Sequence, residues 1–292
     1  MDMVFRHKTC CLFLNYLNKW EKMNYQIHPC TENSAAGFLI FSSGLGGHAS
    51  FWRPQIDAFT RYFHVLTYDQ EGCHADSAIL PDDYHMSDLA RQLLQIIRQE
   101  KIQQFHFIGH AIGSFIGAEL ALLLNSSEQS MLSLTCINCW DELDPHTQKC
   151  FAARTQLLKS AGSDAYVRAQ GLFLYPPGWI SKHHQHLKML EDIQLADFPP
   201  PQNVLQRIQA AQQFKIEDRH IQALQHSQLH LIANQDDFLV PVHKSADLQQ
   251  RLGHGCLNIL ASGAHASTQT EPELLNKTML EFLRRHFLHI TP

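Results

Sequence analysis

The stretch FHFIGHAIGSFIGAEL, Phe105 to Leu120, decides how this chain is read. Phe105 to His110 is a short apolar run of the kind that forms a buried strand. Gly109 and Gly113 bracket a tight turn, and the residues from Ala111 to Leu124 suit an apolar helix. Strand, glycine elbow and helix in this order match the pattern G-x-S-x-G, which lifts a nucleophilic serine onto a sharp turn. Here the five residues are Gly109-His110-Ala111-Ile112-Gly113, so alanine fills the serine slot. A methyl group cannot attack a carbonyl carbon. Either the chain has lost its chemistry, or its chemistry does without a side-chain oxygen at this position.

Working outward, strands and helices alternate. GFLIFSS (Gly37 to Ser43) reads as a buried strand running into Gly44-Leu45-Gly46-Gly47, followed by a helix through Phe51 to Ile56. HVLTYD (His64 to Asp69) is the next strand. A helix beginning near Ser87 places Leu89, Leu93, Ile96 and Ile97 on one face. LSLTCINC follows as a strand, and the alternation then stops at Trp140. Residues 141–215 carry helical patterns only, among them TQKCFAARTQLLKSAG and NVLQRIQAAQQF, and are expected to form an inserted helical lid. LHLIAN (Leu229 to Asn234) and CLNIL (Cys256 to Leu260) resume the strands, and a helix from Pro272 to about Phe287 closes the chain. The expected architecture is α/β, a mostly parallel sheet flanked by helices, with the core built from 23–140 and 216–292. Such sheets bind ligands beyond the carboxyl ends of their strands. Residues 1–22 look unlike the rest, and Met23 opens a start of its own, so they are expected to be a loosely attached extension.

Composition narrows the partners. A formal net charge of −5, a pI near 6.4 and no basic cluster with interleaved aromatics argue against nucleic acid. No uninterrupted apolar run of about 18 residues exists, so no membrane span is expected. The first twenty residues begin basic and turn apolar, but Asn15, Asn18 and Lys19 interrupt the run and no small-residue cleavage site follows. The eight cysteines are therefore expected to be reduced, in a cytoplasmic protein. Cys136 and Cys139 form a C-x-x-C, but one pair cannot close a four-ligand zinc site, and a strand is not where a redox pair sits. Clustered histidines at His183, His184 and His186 suit a polar helix face. Neither a metal nor a cofactor is expected.

Two later loops complete a constellation. In Ala233-Asn234-Gln235-Asp236-Asp237-Phe238-Leu239-Val240-Pro241, an acid four residues before a proline follows a strand, which selects Asp237 over Asp236. Ser262-Gly263-Ala264-His265 follows the last strand. Nucleophile slot, acid, histidine is the chain order of the α/β-hydrolase fold. A carboxylate on one imidazole nitrogen fixes the tautomer and stabilises the imidazolium, so Asp237 and His265 make a working pair without a serine. The backbone N–H groups of Leu45 and Ile112 would form the oxyanion hole. Substitute hydroxyls are unpromising: Ser114 lies three residues into the helix, and Ser43 is expected to cap backbone in a turn. Gly44, His110, Trp140, Tyr175 and Trp179 are candidates to line the pocket or lid, with Trp52 beside them, and core packing is the alternative for each.

The chain resembles the RutD family of the pyrimidine-utilisation pathway. The resemblance rests on SGLGG (Ser43 to Gly47), YDQ-x-G (Tyr68 to Gly72), GHAIG itself, and the segments HTQKCFAARTQLL, AQGLFLYPPGW and DDFLVP, and runs roughly from Asn24 to Arg285. It implies that alanine in the elbow is a family feature. It also implies a hydrolase of uracil catabolism that acts on carbamate or 3-aminoacrylate and releases ammonia. The expected partner is a small-molecule substrate, and a homodimer is compatible with it. Glu71 departs from the family, standing where many relatives have arginine. Two other classes compete: a cofactor-free oxygenase that uses the same His–Asp pair, and a small-molecule binding protein on a retired hydrolase scaffold. Oxygen uptake would mark the first, and tight binding without turnover the second.

Overall fold

A computed structural model of the chain describes residues 23–34, 36–124 and 128–287. The expected extension at residues 1–22 lies outside the described residues. The strands are β1 (Tyr25–His28), β2 (Phe38–Ser42), β3 (His64–Tyr68), β4 (Gln104–His110), β5 (Ser130–Ile137), β6 (Gln228–Asn234) and β7 (Cys256–Leu260). They form one sheet in the order β1-β3-β2-β4-β5-β6-β7, with β1 antiparallel to β3 and every other pair parallel. Sequence pattern missed β1. It has four residues, pairs on one side only, and carries no apolar run to announce it.

Helices cover both faces. They are α1 (Arg53–Phe59), α2 (Met86–Gln99), α3 (Ile112–Leu124), α4 (Pro145–Leu174), α5 (Pro177–Lys182), α6 (His184–Ala196), α7 (Pro201–Gln213), α8 (Asp218–Leu224), α9 (Val242–Leu252), α10 (Ser267–Thr270) and α11 (Pro272–His286). Side chains of a strand alternate between faces, so the central strands feed two cores. Ile40, Leu66, Phe107, Leu134 and Leu231 pack with α2 and α3. Leu39, Phe41, Val65, Ile108, Ile137 and Ile232 pack with Trp52, Phe59, Leu275, Met279 and Phe282. Leu89, Leu93, Ile96 and Ile97 are fully buried, as the spacing along α2 predicts.

Between β5 and β6 the chain is helical throughout, from α4 to α8. Gly162 breaks α4 with φ of 83°, a left-handed conformation that glycine adopts without a Cβ clash. Six strands, β2 to β7, end at one edge of the sheet, and the loops there hold every residue of the constellation. The six described cysteines are free, and Cys136 and Cys139 are buried. His184 and His186 are exposed on α6. Among the described residues no helix is long and apolar enough to cross a membrane.

Three core histidines are held neutral by burial. His106 and His230 are lowered to about 4, and His110 to about 3, where the nearby His265 adds to the effect. Once unfolded they titrate near 6.5. Between those values the unfolded chain binds protons that the folded chain refuses, so stability falls as pH drops from about 6.5 towards 4. Each histidine contributes a slope of about 1.4 kcal/mol per pH unit in the middle of that window. Urea midpoints at pH 7.5, 6.0 and 5.0 are expected to fall steeply below 6.5. Equal midpoints at pH 7.5 and 5.0 would refute the neutral, buried state of these rings.

Candidate active site

The elbow is set by close backbone approach. A Cβ on Gly109 would lie 2.4 Å from the carbonyl carbon of Gly113, and a Cβ on Gly113 would lie 2.2 Å from the Ser42 carbonyl oxygen. Only glycine fits either position. The turn between them puts Ala111 at φ of 48°, a strained value for a residue with a side chain. The Ala111 N–H donates to the Ile137 carbonyl at 2.8 Å, and the Ala111 carbonyl accepts from Ser114 at 3.0 Å. So the strained geometry of a nucleophile elbow persists around a methyl group. The neighbouring Ile112 N–H has no acceptor among the described residues, and neither has the Leu45 N–H at the end of β2.

The acid and the histidine come together. Asp237 Oδ2 accepts from His265 Nδ1 at 2.8 Å, with side-chain exposures of 0% and 5%. The Leu239 and Val240 N–H groups donate to Asp237 Oδ1 at 2.8 and 2.9 Å. With the imidazole, these donors leave neither carboxylate oxygen of this buried side chain without a partner. With its Nδ1 proton given to Asp237, His265 keeps Nε2 as the basic nitrogen. Asp236, set aside by spacing, has another job. It accepts from the Ala264 and Gly263 N–H groups at 2.8 and 3.3 Å and so holds the loop before His265. Ala264 sits at φ of 51° in that loop.

Two side chains hold the histidine's backbone: Asn138, which sequence pattern missed, and His110, which it offered only as a pocket-lining candidate. Asn138, at φ of 50°, donates from Nδ2 to the Ala264 and His265 carbonyls at 3.1 and 3.0 Å and accepts from the Asn234 N–H at 3.1 Å. His110 donates from Nε2 to the His265 carbonyl at 2.7 Å, and the two rings lie 4.7 Å apart. Its Nδ1 has no partner, and a Cβ on Gly44 would approach that atom to 2.8 Å. Gly44 is therefore needed for room beside His110, and both are buried packing around the dyad. An asparagine after a strand and a histidine at the second elbow position carry no local signal of this role.

Other candidates fall elsewhere. Trp140 does not line the site. It is buried in the core against Phe115 and Phe151, where the apolar faces of β5, α3 and α4 meet. Trp52 is fully buried and stacks on Phe41 at 4.4 Å. Tyr175 and Trp179 stack on each other at 4.7 Å between α4 and α5. The preceding Leu174 carbonyl accepts from the Ala266 N–H at 2.9 Å, which brings this segment onto the His265 loop. Ser114 donates to the Gly109 carbonyl at 3.0 Å. Ser43 caps nothing: its hydroxyl is buried without a partner.

The inserted helices hold the loop after β2 and add a buried cation. Arg207 of α7 donates to the carbonyls of Glu71 at 2.9 Å and Leu45 at 3.0 Å, and to Gln70 Oε1 at 2.5 Å. Gln70 in turn donates to the Ser43 carbonyl at 2.6 Å. Glu71 thus meets Arg207 through its backbone carbonyl, while its carboxylate accepts from Tyr84 at 3.4 Å. Arg154 of α4 differs. It is 4% exposed and faces the rings of Phe151, Tyr166 and Phe173 at 5.4 to 5.9 Å. It donates to Tyr166 at 3.4 Å, its Nε has no acceptor, and no carboxylate pairs with it among the described residues. Thr147, two turns earlier on α4, donates to the Leu239 carbonyl beside Asp237, and Phe173 packs on Phe238. The guanidinium therefore sits on the helix that roofs the Asp237 loop.

Comparison with known proteins gives the family and the fold. Residues 37–163 match the model of the alpha/beta hydrolase fold family. RutD of Acinetobacter baylyi, provisionally named a carbamate hydrolase, is 50% identical over 90% of this chain and 98% of its own. RutD of Stutzerimonas stutzeri, named likewise, is 41% identical over 89% of this chain and 96% of its own. Among solved structures, an enol-lactonase of Burkholderia xenovorans superposes with a TM-score of 0.77 at 19% identity, covering 89% of this chain and 96% of the other. At that identity the likeness concerns the fold alone.

The retained elbow can be tested by restoring its oxygen. Ala111→Ser is expected to become reactive towards a fluorophosphonate probe, with covalent label at position 111 found by peptide mass spectrometry. His265→Ala in the same background is expected to abolish that label. An unlabelled Ala111→Ser protein of native fold would show that His265 cannot serve position 111.

Proposed function

The chain belongs to the RutD family of α/β hydrolases, and on that premise we propose that it hydrolyses the C–N bond of a small carboxylate-bearing substrate, carbamate or 3-aminoacrylate, with water as the nucleophile. The observation that carries this proposal is the intact Asp237–His265 hydrogen bond of 2.8 Å beside an elbow that keeps its strained φ of 48° and lacks only an oxygen. A water lodged against the Ala111 methyl gives a proton to His265 Nε2 as its oxygen attacks carbon. Asp237 stabilises the imidazolium so formed. The Leu45 and Ile112 N–H groups take up the negative charge that grows on the substrate oxygen. The imidazolium then protonates nitrogen as the C–N bond breaks. Carbamate yields ammonia and bicarbonate. Aminoacrylate takes its α-carbon proton from protonated His265; the water adds at the resulting imine carbon and returns a proton to His265, and the hydroxyl proton of the adduct passes to nitrogen as ammonia leaves a semialdehyde.

Both candidate substrates break down readily unaided, so no covalent intermediate is required to divide a high barrier. Serine proteases stripped of their triad retain about 10³–10⁴-fold catalysis from binding and oxyanion donors. A reaction of this ease is within reach of that residue of machinery plus an oriented base. Both substrates are also anions. Arg154, buried without a carboxylate partner, supplies the complementary charge on the roof of the site. A buried, unpaired cation suits a small carboxylate better than the flat apolar pocket a heteroaromatic oxygenase substrate needs.

Two variants test the assignment, with ammonia release from freshly generated aminoacrylate and carbamate decay followed side by side. His265→Ala is expected to lower kcat by about 10²–10⁴, the usual worth of a positioned base. Parental rates on both substrates would remove His265 from the mechanism. Arg154→Met keeps most of the side-chain volume and removes the charge. It is expected to raise KM by about 10-fold or more, since a hydrogen bond to a charged group contributes about 1.5–3 kcal/mol. An unchanged KM on both substrates would take Arg154 out of the site.

A further inference from the structure

We propose that His48, Asp69, Cys73 and His74 form a zinc site that fastens the loops after β2 and β3 to one another. Each offers one ligand atom, and these atoms all lie within 4.8 Å of one another. The His74 Nε2 to Asp69 Oδ2 distance is 3.1 Å and the His48 Nδ1 to Cys73 Sγ distance 4.0 Å. Zinc bonds of about 2.0–2.3 Å in a tetrahedron place neighbouring donors about 3.3–3.7 Å apart. One pair is already slightly inside that spacing and the other slightly outside, so small side-chain rotations suffice to close the set. Four protein donors leave no open position, which marks a structural site. A thiolate, two imidazoles and a carboxylate suit zinc, and with two negative donors they neutralise its charge. The Cys73 thiol proton leaves to solvent on binding.

Three surrounding contacts point the same way. His74 Nδ1 lies 2.7 Å from Asp197 Oδ2, where α6 ends. That is the outer carboxylate expected behind a metal-bound imidazole, and it orients Nε2 inward as the ligand. Nε2 is buried and has no hydrogen-bond partner of proper geometry. Asp69 is fixed in turn: its Oδ1 accepts from the Ala49 N–H at 2.7 Å, and Asn24 donates to its Oδ2. Cys73 is held under the oxyanion loop, where a Cβ on Gly47 would come within 2.7 Å of its Cβ. A plain chain of ion pairs through Asp69, His74 and Asp197 has no use for a thiol and a second imidazole at the same point. The site also lies apart from Cys136, Cys139 and the histidines at 183–186, the positions that sequence spacing raised and set aside.

The test uses the full chain without a histidine tag, saturated with zinc, desalted and analysed by mass spectrometry of metals. One zinc per chain is expected, retained in Cys256→Ser and lost in Cys73→Ser and His48→Gln. Cobalt in place of zinc is expected to give intense tetrahedral visible bands and a near-ultraviolet thiolate charge-transfer band, the latter absent in Cys73→Ser. Asp197→Asn is expected to weaken zinc binding by about 10–100-fold, as removal of outer-shell partners does. If Cys73→Ser fails to fold, the cobalt spectrum of the parent chain decides alone. No bound zinc, zinc retained in both ligand variants, or cobalt without a thiolate band would overturn the site.

Discussion

The start of α3 is pressed against the end of β2, with the Gly113 backbone lying where any Cβ would strike the Ser42 carbonyl. Much of the site follows from that contact. To bring the helix so close, the chain must turn within two residues, and Ala111 takes the positive φ that the turn demands. The turn lifts position 111 above the sheet and leaves the Ile112 N–H outside the helix's own hydrogen bonding. The loop after β2 comes in beside the turn, where a Cβ on Gly44 would meet the His110 ring. Strain of this kind persists only where the surrounding structure over-determines it. Here the surrounding packing sustains it without a serine.

Charge is handled differently on the two sides of the site. On the acid side, Asp237 is buried but fully provided for, by two backbone donors and one imidazole. Its neighbour His110 is kept neutral by burial, so it can serve as a hydrogen-bond donor without adding a second positive charge beside His265. On the helical side there are two buried arginines. Arg207 spends its donors on carbonyl and amide oxygens and acts as a clamp. Arg154 has aromatic rings around it and one long hydrogen bond. A buried cation without a carboxylate is costly.

The helices between β5 and β6 are tied into the core at several points. Thr147 reaches the Leu239 carbonyl, Leu174 receives the Ala266 N–H, Asn203 bonds the Leu80 N–H and the Ala78 carbonyl, and Asp197 meets His74. The first two ties fall on the loops that carry Asp237 and His265, and the last two on the loop after β3. The inserted helices therefore brace the loops at this edge as well as cover them: α4 holds the Asp237 and His265 loops, and α7 holds those after β2 and β3.

Strand and helix order, the alanine elbow, the choice of Asp237 over Asp236 and the approach of His265 were all legible in the residues. Each rests on a local signal: apolar periodicity, glycine spacing, or a turn at a strand end. The edge strand β1 was not, because four residues paired on one side leave no pattern. Nor was the burial of Trp140, since a tryptophan after a strand suits core and pocket alike until the facing helix is in place. The support given by Asn138, His110, Arg207 and Asp236, the solitude of Arg154, and the meeting of His48 and Asp69 with Cys73 and His74 belong to tertiary structure alone. Their partners lie from a few residues to more than a hundred and sixty away in the chain. Local sequence encodes backbone preference over a turn or two, whereas the pairing of a polar side chain is settled only when packing brings distant loops to one edge of the sheet.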